Sequence, residues 1–410
     1  MPKNKRPISR KPNLPPQEDA EVQAQALADL ALEIAEREVD DEAGDADPAA
    51  LRLLEDQFAK LLRNALRKKN DEVLYGAIEL TRYSDVGAYQ YLRNEVEEAA
   101  ASVILRRQGA PAMEINAFAV PLFVHSVGGL KQNEQFQDDA AFAALVDSFS
   151  QAGLESKQAK VVLVSHAYDA AEANNLTYSQ LNEMLGDAAA SMTEKKLVAA
   201  PALERSITGW EPSNFGPTDQ AVELRYLIGF ALKQADDAFY VPPVDPAAAE
   251  AWFDARMARY RAWTEVAAPL VKRCLATSPE DLEIHFQYQD LFFGARQQGA
   301  AELAMLGLMT DMHAAIAANG GPVGALQATV GPAVQDDAMV LRATLATAAG
   351  VQLVASDKEL DVTADLQAEV DDLCDALATL GIAHIAVAQR FTADGAAVDV
   401  QAWPGLGQAR

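Results

Sequence analysis

Two short stretches gather the residues that could do chemistry. VPLFVHSVGGL, from Val120 to Leu130, ends an apolar run in His125 and Ser126 and then passes through Gly128 and Gly129. VVLVSHAYD, from Val161 to Asp169, ends a second apolar run in Ser165, His166, Tyr168 and Asp169. An imidazole titrates near neutrality, a hydroxyl is a latent nucleophile, and a carboxylate orients both. Together they are the minimum set for acid–base or nucleophilic catalysis. If Glu114 to Val124 and Lys160 to Val164 are strands joined by a helix over Asp138 to Ala152, the crossover makes them parallel strands of one sheet. Their carboxyl ends then share the edge where open α/β sheets bind ligands. The competing reading is two ordinary strand ends with their turns. Neither serine lies in a G-x-S-x-G elbow, and the glycines form neither a dinucleotide nor a P-loop pattern.

The remaining reactive side chains are scattered. His285 and His384 lie inside apolar strands, as core or sheet-face residues. His313 follows Met305, Met309 and Met312 on a helix, where flexible methionine packing explains the stripe. ARMARYRAWTE, Ala255 to Glu265, puts Arg256, Arg259, Tyr260, Arg261 and Trp263 on one helix. It reads as a solvated helix face, with base stacking as the alternative. Cys274 and Cys374 stand a hundred residues apart with no C-x-x-C, which argues against a thiolate metal site or a disulfide framework. No metal and no cofactor is expected from these spacings.

The elements that would position such a site follow from periodicity. Met1 to Gln17 carries Lys3, Lys5, Arg6, Arg10 and Lys11 among prolines and reads as a disordered basic tail. Residues 18–108 read as a helical module. Leu27, Leu30, Ala31 and Ile34 recur at helical spacing, and Leu51, Leu54, Phe58, Leu61 and Ala65 form a seam of alternating threes and fours. Ser84 or Asp85 caps a long helix reaching about Arg107. After Pro111 strands alternate with helices. Thr177 and Gln180 form a capping box, Asp245 before Pro246 opens a helix to Leu275, and TADG between two final strands signals a hairpin.

The second half repeats the first in outline. Glu114, Ile115, Leu122 and Phe123 match Glu283, Ile284, Leu291 and Phe292, and DQAVELR (219–225) matches DDAMVLR (336–342). The shared order points to tandem duplication, with a first α/β unit over 112–280 and a second over 281–405. The expected fold class is therefore α+β, a helical module followed by two related α/β units. In the second copy the loop matching HSVGG is Gly294 to Gly299. Its second strand end carries no histidine or acid.

Composition narrows the setting. With 410 residues, half of them hydrophobic, the chain can bury more than one core. Sixty acidic against 34 basic residues give a formal charge of −26, which opposes phosphate contact. Without an apolar signal core at the N-terminus, and with no run of about 18 to 20 apolar residues, a cytoplasmic protein that spans no membrane is expected.

LEDQFAKLLRN (54–64), VPLFVHS, VVLVSHAYD and the closing QRFTADGAAVDVQAWP (389–404) resemble the landmarks of an uncharacterised betaproteobacterial domain-of-unknown-function family. The resemblance implies a bacterial, cytosolic protein and carries no functional residue. The reading that follows is a non-enzymatic interaction or regulatory protein. Its protein partner is unknown, self-association stays open, and no specific nucleic acid is expected. The alternative is a small-molecule-binding domain or enzyme at the strand ends around His125 and His166.

Overall fold

The computed structural model describes residues 16–42, 48–106, 109, 111–126, 138–169, 176–191, 222–275, 282–288, 292–336 and 338–404. The helices are α1 (Pro16–Glu42), α2 (Pro48–Arg67), α3 (Asp71–Arg82), α4 (Val86–Ala101), α5 (Asp139–Gln151), α6 (Tyr178–Ser191), α7 (Pro246–Leu275), α8 (Phe292–Asn319) and α9 (Leu366–Thr379). The strands are β1 (Ser102–Leu105), β2 (Met113–Ser126), β3 (Lys160–Asp169), β4 (Val222–Gln234), β5 (Leu282–Phe286), β6 (Gln327–Gln335), β7 (Ala338–Ala346), β8 (Gln352–Glu359), β9 (His384–Phe391) and β10 (Ala397–Ala402). The architecture is mixed α+β: N-terminal helices, then two sheets interleaved with helices. The basic tail over residues 1–15 and the Gly128–Gly129 turn lie outside the described residues.

One compact unit holds α1 to α4, β1, the start of β2, α6 and the end of β4. Apolar residues at helical spacing form its core. Helix α1 packs against α3 and α4, and Leu27, Ala31 and Ile34 of α1, Leu74 and Ala77 of α3 and Leu92 and Val96 of α4 are all buried. In α2 the buried stripe is Phe58, Leu62, Ala65 and Leu66. Leu51, Leu54 and Leu61, expected in the seam, are only half-buried, because the helix presents a face one position further round.

Asp85 caps α4, its Oδ1 accepting the Ala88 N–H at 2.8 Å. That helix stops at Ala101, six residues short of the expected end, where Ser-Val-Ile-Leu, with β-branched Val103 and Ile104 at its centre, starts β1 and pairs with Met113–Asn116 of β2. Distant sequence supplies α6. Thr177 and Gln180 form the capping box, with Thr177 N–H donating to Gln180 Oε1 at 2.9 Å and Gln180 N–H to Thr177 Oγ1 at 3.3 Å. Asp71 of α3 also accepts the Thr177 hydroxyl at 2.8 Å and the Ser179 N–H at 2.9 Å, tying the two helix starts together.

The other unit contains both sheets' remaining strands. In the first sheet the order is β1-β2-β4-β3, with β5 also on β2. Ala235 N–H bonds the Ala112 carbonyl at 3.0 Å, and a Cβ on Gly229 would meet the Phe118 ring. The two contacts have the same positional sum, which marks β2 and β4 as antiparallel. On this sheet α5 packs against α7, whose inward stripe is Arg256, Tyr260, Trp263, Ala267, Val271 and Cys274. The reading of 255–265 as a solvated face is thereby corrected. Steps of four, three, four, four and three put those six residues on one buried face, and only Arg261 of the named cluster is exposed.

Aromatic residues surround Trp263: Phe149 at 4.7 Å, Phe286 at 5.2 Å and Tyr260 at 5.3 Å between ring centroids. Its Nε1–H donates to Ser148 Oγ at 2.8 Å. Arg256 is held by the Tyr288 hydroxyl at 3.1 Å and the Leu154 carbonyl at 3.4 Å. Tyr240 donates to Glu155 and accepts the Ser156 N–H, and burial followed by the nearby Glu155 charge pushes its phenol up.

Two apolar stretches that local composition would make strands take other forms. Ala238–Tyr240 is a 3₁₀ turn, since AFY is too short and too close to Pro242 and Pro243 to pair. The stretch Glu283–Phe293 is a strand only to Phe286; Phe292 already begins α8, so the expected Gly294–Gly299 loop is helical. Through α8 the two sheets share a helix. Its Gly299 lies beside Tyr226, whose hydroxyl donates to the Arg296 carbonyl at 3.3 Å. Burial, only partly offset by Arg296, pushes that phenol up to about 12. Further along, Met312 with Met305 and Met309 enters the second core, as the methionine stripe implies.

The second sheet runs β10-β9-β6-β7-β8, antiparallel except for the parallel β6–β9 pair. Helices α8 and α9 pack on it over Val330, Leu341, Ala343, Leu345, Leu373 and Leu377. The TADG hairpin is present, with Gly395 at φ 83° and its N–H on the Thr392 carbonyl at 2.9 Å.

Asp138 gives this unit a pH-dependent clamp. It caps α5 through the Ala141 N–H at 2.9 Å and accepts Arg273 of α7 at 2.7 Å. These two contacts, the backbone bond first, hold its carboxyl below the ordinary aspartate value of 3.8. The folded-state pKa is depressed, so the contribution is complete above the ordinary value and is lost as pH falls through the lowered one. Asp138→Ala is expected to lower the urea midpoint at pH 7, and the gap from the parent should close as the pH is taken below about 4. A gap that persists at acid pH would remove the carboxylate as its source.

Candidate functional site

The reactive stretches do not end as loops. His125 and Ser126 are the last residues of β2 and stand in a ladder with β5, His125 opposite Glu283 and Ser126 opposite Leu282. Ser165, His166, Tyr168 and Asp169 continue β3, which runs five residues beyond the expected end because S-H-A-Y-D still accepts extended backbone. His125 is half-buried; the side chains of Ser126, Ser165, His166 and Asp169 lie outside the described residues. The strand order places β4 between β2 and β3. The two candidate stretches therefore lie on strands that are not neighbours in the sheet. His285, His313 and His384 are all exposed. Among the described residues no group of three or more His, Cys, Asp or Glu is placed to hold a metal ion, and no helix is long and apolar enough to cross a membrane.

A different place offers a surface with shape. Between α1 and α3 lies a groove of about 510 Å³. Small residues create it: Ala20 and Ala24 of α1 are buried, and a Cβ on Gly76 of α3 would already touch Ala24 Cβ at 3.3 Å. The helices therefore cross closely at Ala24 and Gly76, leaving a trough beside the crossing. Carboxylates rim it, Glu21 from α1 and Glu72 and Glu79 from α3, all exposed. Arg82 stands 4.0 Å from Glu79 Oε2.

Exposed apolar residues extend the trough. Leu80 lines it, and Tyr83 at the end of α3 is 73% exposed. Positions 72, 76, 79, 80 and 83 share one helical face, so the acids, the gap and the apolar rim form a continuous stripe. Such a stripe accepts a cationic segment in a defined way: alkyl stems of Lys or Arg lie on the apolar floor while their heads meet the carboxylates. Sequence reading passed over it because Glu72, Gly76, Glu79, Leu80 and Tyr83 lie on an outward face that flanks the core stripe Val73, Leu74, Ala77. The available signal was Leu80 and Tyr83 on that outward face.

No protein-family model, curated protein or solved structure matches the chain.

Proposed function

We propose that this chain is a non-enzymatic interaction protein whose helical unit captures a basic, amphipathic segment of a protein partner. The observation that carries the reading is the α1–α3 groove, with carboxylates on its rim and exposed Leu80 and Tyr83 continuing it. An acidic trough draws cationic partners at long range, and an exposed aromatic gives the contact a buried anchor. The test replaces Leu80 by Asp and Tyr83 by Ala in the tagged protein and compares what each form retains from its source lysate. Proteins held by the parent and lost from the variant are expected. Identical retention by both forms, together with a monomeric mass by light scattering, would reject the proposal.

The same reading places the protein in the cytoplasm of a bacterium, in line with the family resemblance. Two buried free cysteines and a strongly acidic chain support it, and cell fractionation checks it. The charge of −26 supports the absence of a specific nucleic-acid partner, which a shift assay at physiological salt examines. Tandem duplication belongs to the proposal as well. What supports it is that Glu114–Ile115 and Glu283–Ile284 both lie on strands, and that VELR in β4 and MVLR in β7 do too. A superposition of 112–280 on 281–405 that aligns fewer than half of the elements in order rejects it.

A further inference from the structure

We infer that the groove between α1 and α3 is the seat of the chain's own basic N-terminal arm, residues 1–15, so that the arm covers the capture site in cis. The inference rests on the proposed capture function and names a first occupant of that site.

Three observations carry it. The first is charge. Lys3, Lys5, Arg6, Arg10 and Lys11 bring five cations and no acid within fifteen residues of a chain whose total charge is −26, and the groove is rimmed by Glu21, Glu72 and Glu79. The second is reach. The groove's α1 residues, Ala20 to Gln25, stand four to nine positions after Pro16, roughly 6 to 14 Å along the helix axis. Residues 10 to 15 alone span up to about 20 Å of extended chain, so Arg10 and Lys11 can return to the trough with length to spare. The third is composition. Pro7, Pro12 and Pro15, with Ile8 and Leu14, give the arm stiff apolar points between its cations. Proline-rich segments lose little freedom on entering a groove, and their aliphatic faces suit a floor of Ala20, Ala24 and Leu80.

A covalently attached ligand is present at high effective concentration, so even a weak contact populates the covered state. A partner must then outbid the arm, which makes capture selective for segments more basic or more apolar than the arm itself.

The experiment uses the full chain. Cys274 and Cys374 are buried, so a thiol introduced by Asn13→Cys is the one that takes a solvatochromic label. The labelled protein is compared with the same protein carrying Glu21→Gln, Glu72→Gln and Glu79→Gln, three exposed positions whose change leaves the core untouched. At low salt the expected result is a blue-shifted emission in the parent and loss of that shift in the triple variant. The shift should also vanish near 1 M salt, where the Debye length falls to about 3 Å. Equal emission from parent and triple variant at low salt would overturn the inference. So would a shift that fades on dilution, because the arm would then be seated on a second copy. Neither result touches the capture reading, which stands or falls on the Leu80→Asp and Tyr83→Ala comparison.

Discussion

Trp263→Ala is expected to cost the protein about 3 to 5 kcal/mol, the upper range for emptying an aromatic site. Its side chain is fully buried, and it joins three elements: Phe149 of α5, Phe286 of β5 and Tyr260 one turn away on α7 itself. The indole also donates to Ser148, whose hydroxyl in turn donates to the Leu145 carbonyl at 2.6 Å. Removing the ring empties the space between α5 and α7 and withdraws a buried donor at the same time. Trp263→Phe separates the two effects, since it keeps most of the volume and loses the N–H. Its expected cost is nearer 1 kcal/mol, the usual net worth of one hydrogen bond. Urea unfolding followed by circular dichroism measures both. A loss below about 1 kcal/mol for the alanine variant would mean that α7 does not present this face to the core.

That face shows where local sequence stops informing. Caps were legible at Asp85, at Asp245, which accepts the Ala248 N–H at 2.9 Å, and at the Thr177–Gln180 box, because their hydrogen bonds close within a few residues. The inward face of α1 was legible because Leu27, Ala31 and Ile34 recur at helical spacing. The inward face of α7 was not, because it begins with an arginine. Leu154 and Tyr288, distant in sequence, supply acceptors that let Arg256 enter the core. The end of β3 was equally hidden. Ser165 to Asp169 carries no strong strand preference, and a neighbouring strand decides whether such residues stay extended. After β5 the local signal misleads the other way: Phe292, matched by sequence to Phe123 of β2, is with Phe293 the buried start of α8. The candidate site was illegible for a related reason. A groove is made by what two helices lack at their crossing, and Ala24 facing Gly76 is a pairing that neither helix reveals alone.

Gly331→Ala and Gly307→Ala are expected to move stability in opposite directions, although the chemical change is the same. Gly331 lies in β6, where the parallel register with β9 runs from Gln327 opposite His384 to Val330 opposite Val387. One residue further on, a Cβ would sit 2.5 Å from the Ala388 carbonyl oxygen and 3.2 Å from Ala388 Cβ. Backbone cannot rotate out of the way as a flexible side chain can, so β6 and β9 must part at the centre of the five-stranded sheet. Overpacking of this kind costs typically 1 to 3 kcal/mol. The strand core behind it, Val330 with Leu341 and Ala343, moves with the strand. Gly307 stands on the exposed side of α8 with nothing within 4 Å of its would-be Cβ. There alanine only removes freedom from the unfolded chain and adds helix propensity, a gain of roughly 0.5 to 1 kcal/mol. Denaturant midpoints of the two variants decide the matter. Stabilisation by Gly331→Ala would mean that β6 and β9 do not approach as closely as this register requires. The second sheet would then be joined by some other contact.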